Sequence, residues 1–292
     1  MKISEILNKE GRRLSFEVFP PKTDAAFDSI SGQAEKIAEL SPSYMSVTYG
    51  AGGGSSRFTI DIARNIKSGF GIPVLTHLTC VSSTRATVRE KIGQIRQAGI
   101  ENIMALRGDI PADMKDADRS GWDYRYAAEL VREIREAGDF CIGGACYPEV
   151  HPESKSPEDD IRYLRQKVDA GCSFLTTQMF FDNDLFYRFV DRALGAGITV
   201  PVVPGVMPIT RAVQVERAIN LSGSYMPPEF MEIYNRFGSS DEDMMKAGID
   251  YATRQIAHLL SQGVRNVHVY TMNKPEVASA IKNNLLDLLT DE

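Results

Sequence analysis

Apolar positions along the chain follow two alternating rhythms. Short runs rich in β-branched and aromatic residues occur at RLSFEVF (13–19), YMSVTY (44–49), PVLTHLTC (73–80), NIMALRG (102–108), FCIGGACY (140–147), FLTTQMFF (174–181), PVVPGVM (201–207) and NVHVYT (266–271). Such runs predict strands. Between them, DSISGQAEKIAEL, TVREKIGQIRQAG, YAAELVREIREAG and PEDDIRYLRQKVDAG repeat their apolar positions every three or four residues, the period of a helix. Several end in glycine just before the next run, as helix C-termini do. The rhythm predicts an α/β fold, a closed (β/α)8 TIM barrel over a single domain, 1–292; an open doubly wound sheet is the alternative arrangement of the same units. The stretch 222–262 is longer than one crossover needs, so extra helices are expected before the last strand, in MPPEFMEIYNRF and DEDMMKAGIDYATRQIAHLLSQG.

Composition adds limits. A hydrophobic content of 43% supports a large core, and Lys+Arg 33 against Asp+Glu 39 leaves a net charge of −6, without the basic excess of a nucleic-acid binder. Cys80, Cys141, Cys146 and Cys172 have no metal-site spacing, and a core this size needs no disulfide staples. His77 and Cys80 lack a second ligand pair, so no metal is expected. The opening MKISEILNKEGRR has no signal-peptide apolar run, and no stretch approaches the roughly 20 apolar residues of a membrane span. A cytoplasmic homo-oligomer with a small-molecule substrate and no nucleic-acid or membrane partner is expected.

In a β/α barrel, chemistry sits at the C-terminal ends of the strands. Glu17 lies near the end of the first run, on the same alternating face as Ser15 and Phe19. A carboxyl placed among aromatics there should have a raised pKa, suiting a general acid; a buried structural ion pair is the competing reading. Arg107, Gly108 and Asp109 close the fourth run, as a ligand site or as a simple salt bridge. His77 lies inside the third run without a triad partner. Gln178, at the end of the sixth, can donate to and accept from a heterocycle or bond to its neighbours. Tyr147, His151, Asp160 and Lys167 share the densest polar stretch. Asp160 and Lys167 lie seven apart on one helix face, with Leu164 or Tyr163 between them, fit for phosphate and ribose or for plain solvation. The run GAGGGSS (50–56) does not match G-x-G-x-x-G and reads as a loop.

The ordered set FEVFPPK, SVTYGAGG, THLTC, ALRGD, YPEVHPE, KVDAG, TTQMFFD, PGVMPI and VHVYTMNK resembles the bacterial single-domain methylenetetrahydrofolate reductases over nearly the whole chain. That resemblance implies a flavoprotein in one-carbon metabolism and methionine synthesis. FAD would take hydride from NADH or NADPH and then reduce 5,10-methylenetetrahydrofolate to 5-methyltetrahydrofolate, in ping-pong order. Glu17 matches the general acid and Asp109 the acidic residue near flavin and pterin. Gln178, Gln214 and Lys274 match further substrate positions. Tyr49, Ala51, His77, Arg107, Gly108, Asp109, Tyr126, Ala127, Tyr147, His151, Asp160 and Lys167 match FAD contacts, and Thr48 a nicotinamide contact. Tyr163 and Gln166 stand where the family pattern has Asn and Arg, Ala218 where it has Phe, and Lys274 where it has Arg. The loop DIPADMKDADRSGWDY is longer than usual. A lost arginine fork would loosen the grip on phosphate.

Overall fold

A computed structural model describes residues 1–49, 56–110, 114 and 121–290. Nine strands lie parallel in one sheet: β1 (Arg13–Val18), β2 (Met45–Val47), β3 (Val74–Thr79), β4 (Asn102–Leu106), β5 (Cys141–Cys146), β6 (Phe174–Thr177), β7 (Val202–Val203), β8 (Gly205–Val206) and β9 (Asn266–Tyr270). Their order is β7-β6-β5-β4-β3-β2-β1-β9-β8. Because β7 pairs with β6 while β8 pairs with β9, the run 202–206 closes the ring, and the sheet is a β/α barrel. The sequence predicts one strand over 201–207; the structure breaks it at Pro204, which has no N–H to donate. The Pro204 carbonyl still accepts from His268 N at 2.9 Å, and Gly205 N turns to the Thr177 hydroxyl, also at 2.9 Å.

Strand alternation divides the core. Phe16, Val18, Met45, Val47, Val74, Leu78, Ile103, Ala105, Ile142, Val267 and Val269 belong to one large apolar cluster shared with the surrounding helices. Leu75, Met104, Cys141, Phe174 and Val203 form a second cluster. A short helix, Ile3–Leu7, inserts Ile3, Ile6 and Leu7 into that second cluster. Buried Asn102 staples it in place: Oδ1 accepts from Ile3 N at 2.8 Å, and Nδ2 donates to the carbonyls of Val74 at 3.1 Å and Met1 at 3.3 Å. All four cysteines are buried unpaired thiols.

The expected extra helices are present. Pro228–Phe237 and Asp241–Ser261 follow the helix Ala212–Ser222 and precede β9. They enclose a satellite core in which Phe181, Ile209, Val215, Phe230 and Met244 pack around Ala218. Position 218 is thus wholly buried inside this helical layer. Among the described residues, no helix is long and apolar enough to cross a membrane.

Candidate functional site

Register brings the first group of polar side chains together. Glu17 is level with Ser46 on one side and Tyr270 on the other, and Ser15 is level with His268. His268 Nδ1 lies 2.7 Å from Ser15 Oγ, and its Nε2 lies 3.0 Å from Ser46 Oγ. Ser46 Oγ donates to Glu17 Oε2 at 3.2 Å, so a serine joins His268 to a carboxylate 3.9 Å away, beyond direct hydrogen-bond reach. His77 Nε2 faces the same oxygen at 3.6 Å; it is buried and has no hydrogen-bond partner among the described residues. The Glu17 carbonyl is held from behind by the Thr271 hydroxyl at 2.6 Å.

This setting corrects the expected direction of the Glu17 pKa. Burial pushes the carboxyl up. The imidazole of His268, the charge of His77 when protonated and the Ser46 hydroxyl pull it down, and the outcome is below the ordinary carboxylate value. The neighbours that matter are two histidines and a serine from other strands, not the adjoining phenylalanines. His77 in turn is pushed down by burial, which outweighs the attraction of Glu17. Tyr270, part-buried and close to Glu17, is held well above a normal phenol by desolvation and then by that carboxylate, and its hydroxyl donates to the Thr177 carbonyl at 2.5 Å.

A second group gathers beyond β4 and β5. Arg107 meets Glu153 through two bonds, 2.5 and 2.9 Å, the fork geometry that suits carboxylate or phosphate. Gly108 has φ +87°, and a Cβ there would lie 2.9 Å from Val81 Cγ1. Asp109 is exposed just past it, and its charge reaches Arg107 and Tyr147. Burial, then Asp109, push the Tyr147 hydroxyl up to about 12. The Tyr147 ring meets His151 edge-on at 4.6 Å. Burial and then Arg107 lower the pKa of His151, whose Nδ1 accepts from Glu153 N at 3.1 Å.

The helix Pro157–Ala170 supplies Asp160 and Lys167. Ser156 caps it, accepting from Asp159 N at 3.2 Å, with proline in the first turn, as the sequence SPEDD dictates. Asp160 Oδ1 accepts from Ser154 Oγ at 2.8 Å, and Lys167 Nζ donates to the Ala145 carbonyl at the end of β5. Lys167 can lie close against β5 there because Gly144 has no side chain: a Cβ on it would come within 3.2 Å of the lysine Cδ. Leu164 turns into the core, while Tyr163 and Gln166 stay exposed. Tyr126 stands immediately before the helix Ala127–Ala137 and stacks on Tyr163.

The other predicted positions lie around the rim. Thr48 closes β2, with its N–H on the Val18 carbonyl at 3.0 Å and its carbonyl accepting from the Thr59 hydroxyl at 2.9 Å. Tyr49 packs against the main core, and Ala51 lies outside the described residues. Gln178 follows β6; its N–H donates to the Cys146 carbonyl at 2.7 Å, and its Oε1 accepts from Met179 N at 3.0 Å. Gln214 Oε1 is spent on the start of its own helix, accepting from Thr210 N, Thr210 Oγ1 and Arg211 N at 2.8–3.1 Å. Lys274 Nζ donates to that same Thr210 hydroxyl at 2.8 Å, so Thr210 joins two predicted positions.

Sequence reasoning misses His268, Ser46 and Thr210. The alternation of NVHVYT does put His268 and Tyr270 on the face opposite Val267 and Val269, which is the available signal. Among the described residues, no cluster of three or more His, Cys, Asp or Glu side chains could hold a metal ion.

Comparison with known proteins bears on this site. A family model described as methylenetetrahydrofolate reductase matches residues 2–286. The 5,10-methylenetetrahydrofolate reductase of Pectobacterium carotovorum subsp. carotovorum is 35% identical over 277 residues, 94% of this chain and 91% of that protein. The enzyme of the same name from Escherichia coli (strain K12) is 35% identical over 272 residues, 93% of this chain and 90% of its own. A solved structure described as an uncharacterized protein from Clostridium thermocellum that binds two copies of 5-methyl-5,6,7,8-tetrahydrofolic acid superposes with a TM-score of 0.66. It covers 99% of both chains at 15% identity, a likeness of fold alone. The family match and the identity to the two bacterial enzymes extend over the strands that carry both polar groups, and the chain belongs to the methylenetetrahydrofolate reductase family.

Proposed function

We propose that the chain reduces 5,10-methylenetetrahydrofolate to 5-methyltetrahydrofolate, using FAD as hydride carrier and NADH or NADPH as donor, with donor and folate occupying one site in turn. The observation that carries this reading is the Glu17 carboxyl, at the end of a barrel strand and tied to Ser46, within a family named for methylenetetrahydrofolate reduction.

The residues present suit a flavin dinucleotide. Arg107, His151 and Lys167 supply cationic or donor groups for a diphosphate, and Asp160 supplies an acceptor for ribose hydroxyls. Gly108 brings bare backbone to the strand end, and His77 Nε2, without a hydrogen-bond partner among the described residues, offers a buried polar atom. FAD bound there would take up hydride from the nicotinamide and return it to the folate's one-carbon unit.

The folate's five-membered ring must open before hydride can arrive, and Glu17 is the group to protonate the departing nitrogen. In the open barrel its carboxyl sits low, with the side chain 20% exposed. Covering the mouth removes that water, and desolvation drives a carboxyl toward its protonated form. Ser46 and His268 fix its orientation. The exposed charge of Asp109 would steady the cation left when the ring opens. Gln178, Gln214 and Lys274 are the rim positions for substrate, and Thr48 for nicotinamide.

The test separates the two half-reactions. Glu17→Gln should leave bleaching of bound FAD by NADH at the wild-type rate and slow reoxidation by methylenetetrahydrofolate by about 10²–10⁴-fold, the usual worth of a general acid. Unchanged folate turnover in stopped flow would remove Glu17 from this role. Failure of the wild-type protein to bind flavin would overturn the cofactor assignment.

A further inference from the structure

We propose that Tyr270 is a positioning residue: its hydroxyl fixes the peptide between Thr177 and Gln178, and so sets how Gln178 receives folate and nicotinamide in turn. The inference rests on the folate reading above and adds to it a residue which that reading does not use.

The need for that hydroxyl comes from the break in the barrel. Along β6 and β7, Leu175 is level with Val202 and Thr176 with Val203, and Leu175 N donates to the Pro201 carbonyl at 2.8 Å. Parallel pairing repeats its bonds every two residues, so an unbroken ladder would next bring the N–H of Gly205 to the Thr177 carbonyl. That N–H has turned to the Thr177 hydroxyl, at 2.9 Å, because Gly205 begins β8 and pairs with β9 instead. Thr177 is buried, and a buried carbonyl that loses its donor is costly. Tyr270, across the seam on β9, supplies the replacement at 2.5 Å. Gly205 has to be bare for this to happen. A Cβ there would lie 2.6 Å from the Thr177 carbonyl oxygen and would also run into the Tyr270 hydroxyl.

The other end of the same peptide is held from the opposite side, by Gln178 N donating to the Cys146 carbonyl at 2.7 Å. A peptide unit is planar, so fixing its oxygen from β9 and its N–H from β5 fixes the direction in which Gln178 leaves the chain. Gln178 is part-exposed, and its Oε1 already accepts from Met179 N at 3.0 Å. Tyr270 is also level with Glu17 and meets the His268 ring edge-on at 5.4 Å, yet its proton is committed to Thr177. Burial and then the Glu17 carboxylate keep the phenol protonated well past neutral pH, so it remains a donor there.

The experiment removes one oxygen, in Tyr270→Phe, and reads the kinetics of the holoenzyme. The KM for methylenetetrahydrofolate and that for NADH should each rise about three- to tenfold, the worth of one hydrogen bond, with kcat within about twofold of wild type. The pH profile of flavin reoxidation should stay where it is. Gln178→Ala should raise both KM values by itself, and Tyr270→Phe added to it should then change nothing more. A wild-type KM in folded Tyr270→Phe overturns the proposal, as does an undiminished further rise on the Gln178→Ala background. A displaced pH profile overturns it too, because the phenol would then act on Glu17. Deuterium uptake at the Gln178 N–H gives a readout independent of folate: it should quicken about three- to tenfold in Tyr270→Phe, and unchanged protection refutes the link. If that quickening occurs in a protein whose wild type does not reduce the folate, the link stands and the folate reading fails. A thermal melt establishes folding. Should Tyr270→Phe not fold, Gly205→Ala, whose Cβ wedges between the two oxygens, takes its place with the same expected rise in KM.

Discussion

Alanine at Gly108 should destabilise the protein by about 3 kcal/mol, and alanine at Gly71 by less than about 1 kcal/mol. Both glycines have positive φ, +87° and +67°. A side chain in that backbone region costs roughly 1–2 kcal/mol. The added Cβ also restricts the unfolded chain, returning about 0.4–1 kcal/mol. At Gly71 nothing lies within 4 Å of the new atom, so the balance ends there. At Gly108 the Cβ would meet Val81 Cγ1 at 2.9 Å and Thr79 Cβ at 3.0 Å, and forcing a methyl into packed surroundings costs about 1–3 kcal/mol more. A kilocalorie shifts the Tm of a domain of 150–250 residues by roughly 2–4 °C, and somewhat less in a longer chain. Calorimetric melts of the two variants should therefore show a drop of about 6 °C for Gly108→Ala and about 2 °C for Gly71→Ala. Equal shifts would mean that the end of β4 is not packed as described.

The remaining predictions concern the same polar groups and the plugged end of the barrel. Burial holds the His77 pKa below 6.5, so the unfolded chain takes up a proton that the folded one resists, and stability should fall as pH drops below about 6.5. Urea midpoints between pH 7.5 and 5.5 should show that slope in the wild type and a flatter one in His77→Gln; parallel slopes would contradict it. Glu17 acts in a separate window: its depressed pKa adds stability above about 4.5 that is lost as pH falls further. Asn102→Ala should cost about 2–4 kcal/mol by stranding the Ile3 N–H and the Val74 carbonyl, and should speed amide exchange at Ile3. An unchanged denaturant midpoint would show that the N-terminal helix is held by its apolar side chains alone. Thr210→Val deprives Lys274 of its acceptor and should raise the KM for folate without slowing flavin bleaching by NADH; a wild-type KM would place that link outside the substrate site.

Local pattern made the strands legible because each half of a buried parallel strand has to satisfy a period of two. That alternation is enough to put Glu17 on a different face from Phe16 and Val18. It does not reveal what stands opposite Glu17. Ser46 and His268 come from strands whose register depends on the whole ring, and a lone histidine in NVHVYT carries no mark of its partners. The sequence points the Glu17 pKa upward for the same reason: the phenylalanines are neighbours in sequence, the histidines neighbours in space. The helix Ile3–Leu7 has five residues, too few to display a helical period, and only its burial under the barrel identifies it. On the helix Pro157–Ala170, spacing allows either Tyr163 or Leu164 to share the face of Asp160 and Lys167; packing decides it, taking Leu164 inward.

Ring closure has a consequence for the nascent chain. The Ser15–His268 contact joins residues 253 apart in sequence, and β1 finds its second neighbour only when β9 has been made. Until then β1 leaves the ribosome with one edge unpaired, a template for association with other chains. The same late pairing assembles the surroundings of Glu17, so a chain truncated ahead of Asn266 would lack both the seam and its proton-handling network. Titration of that carboxyl therefore reports on completed folding as well as on chemistry.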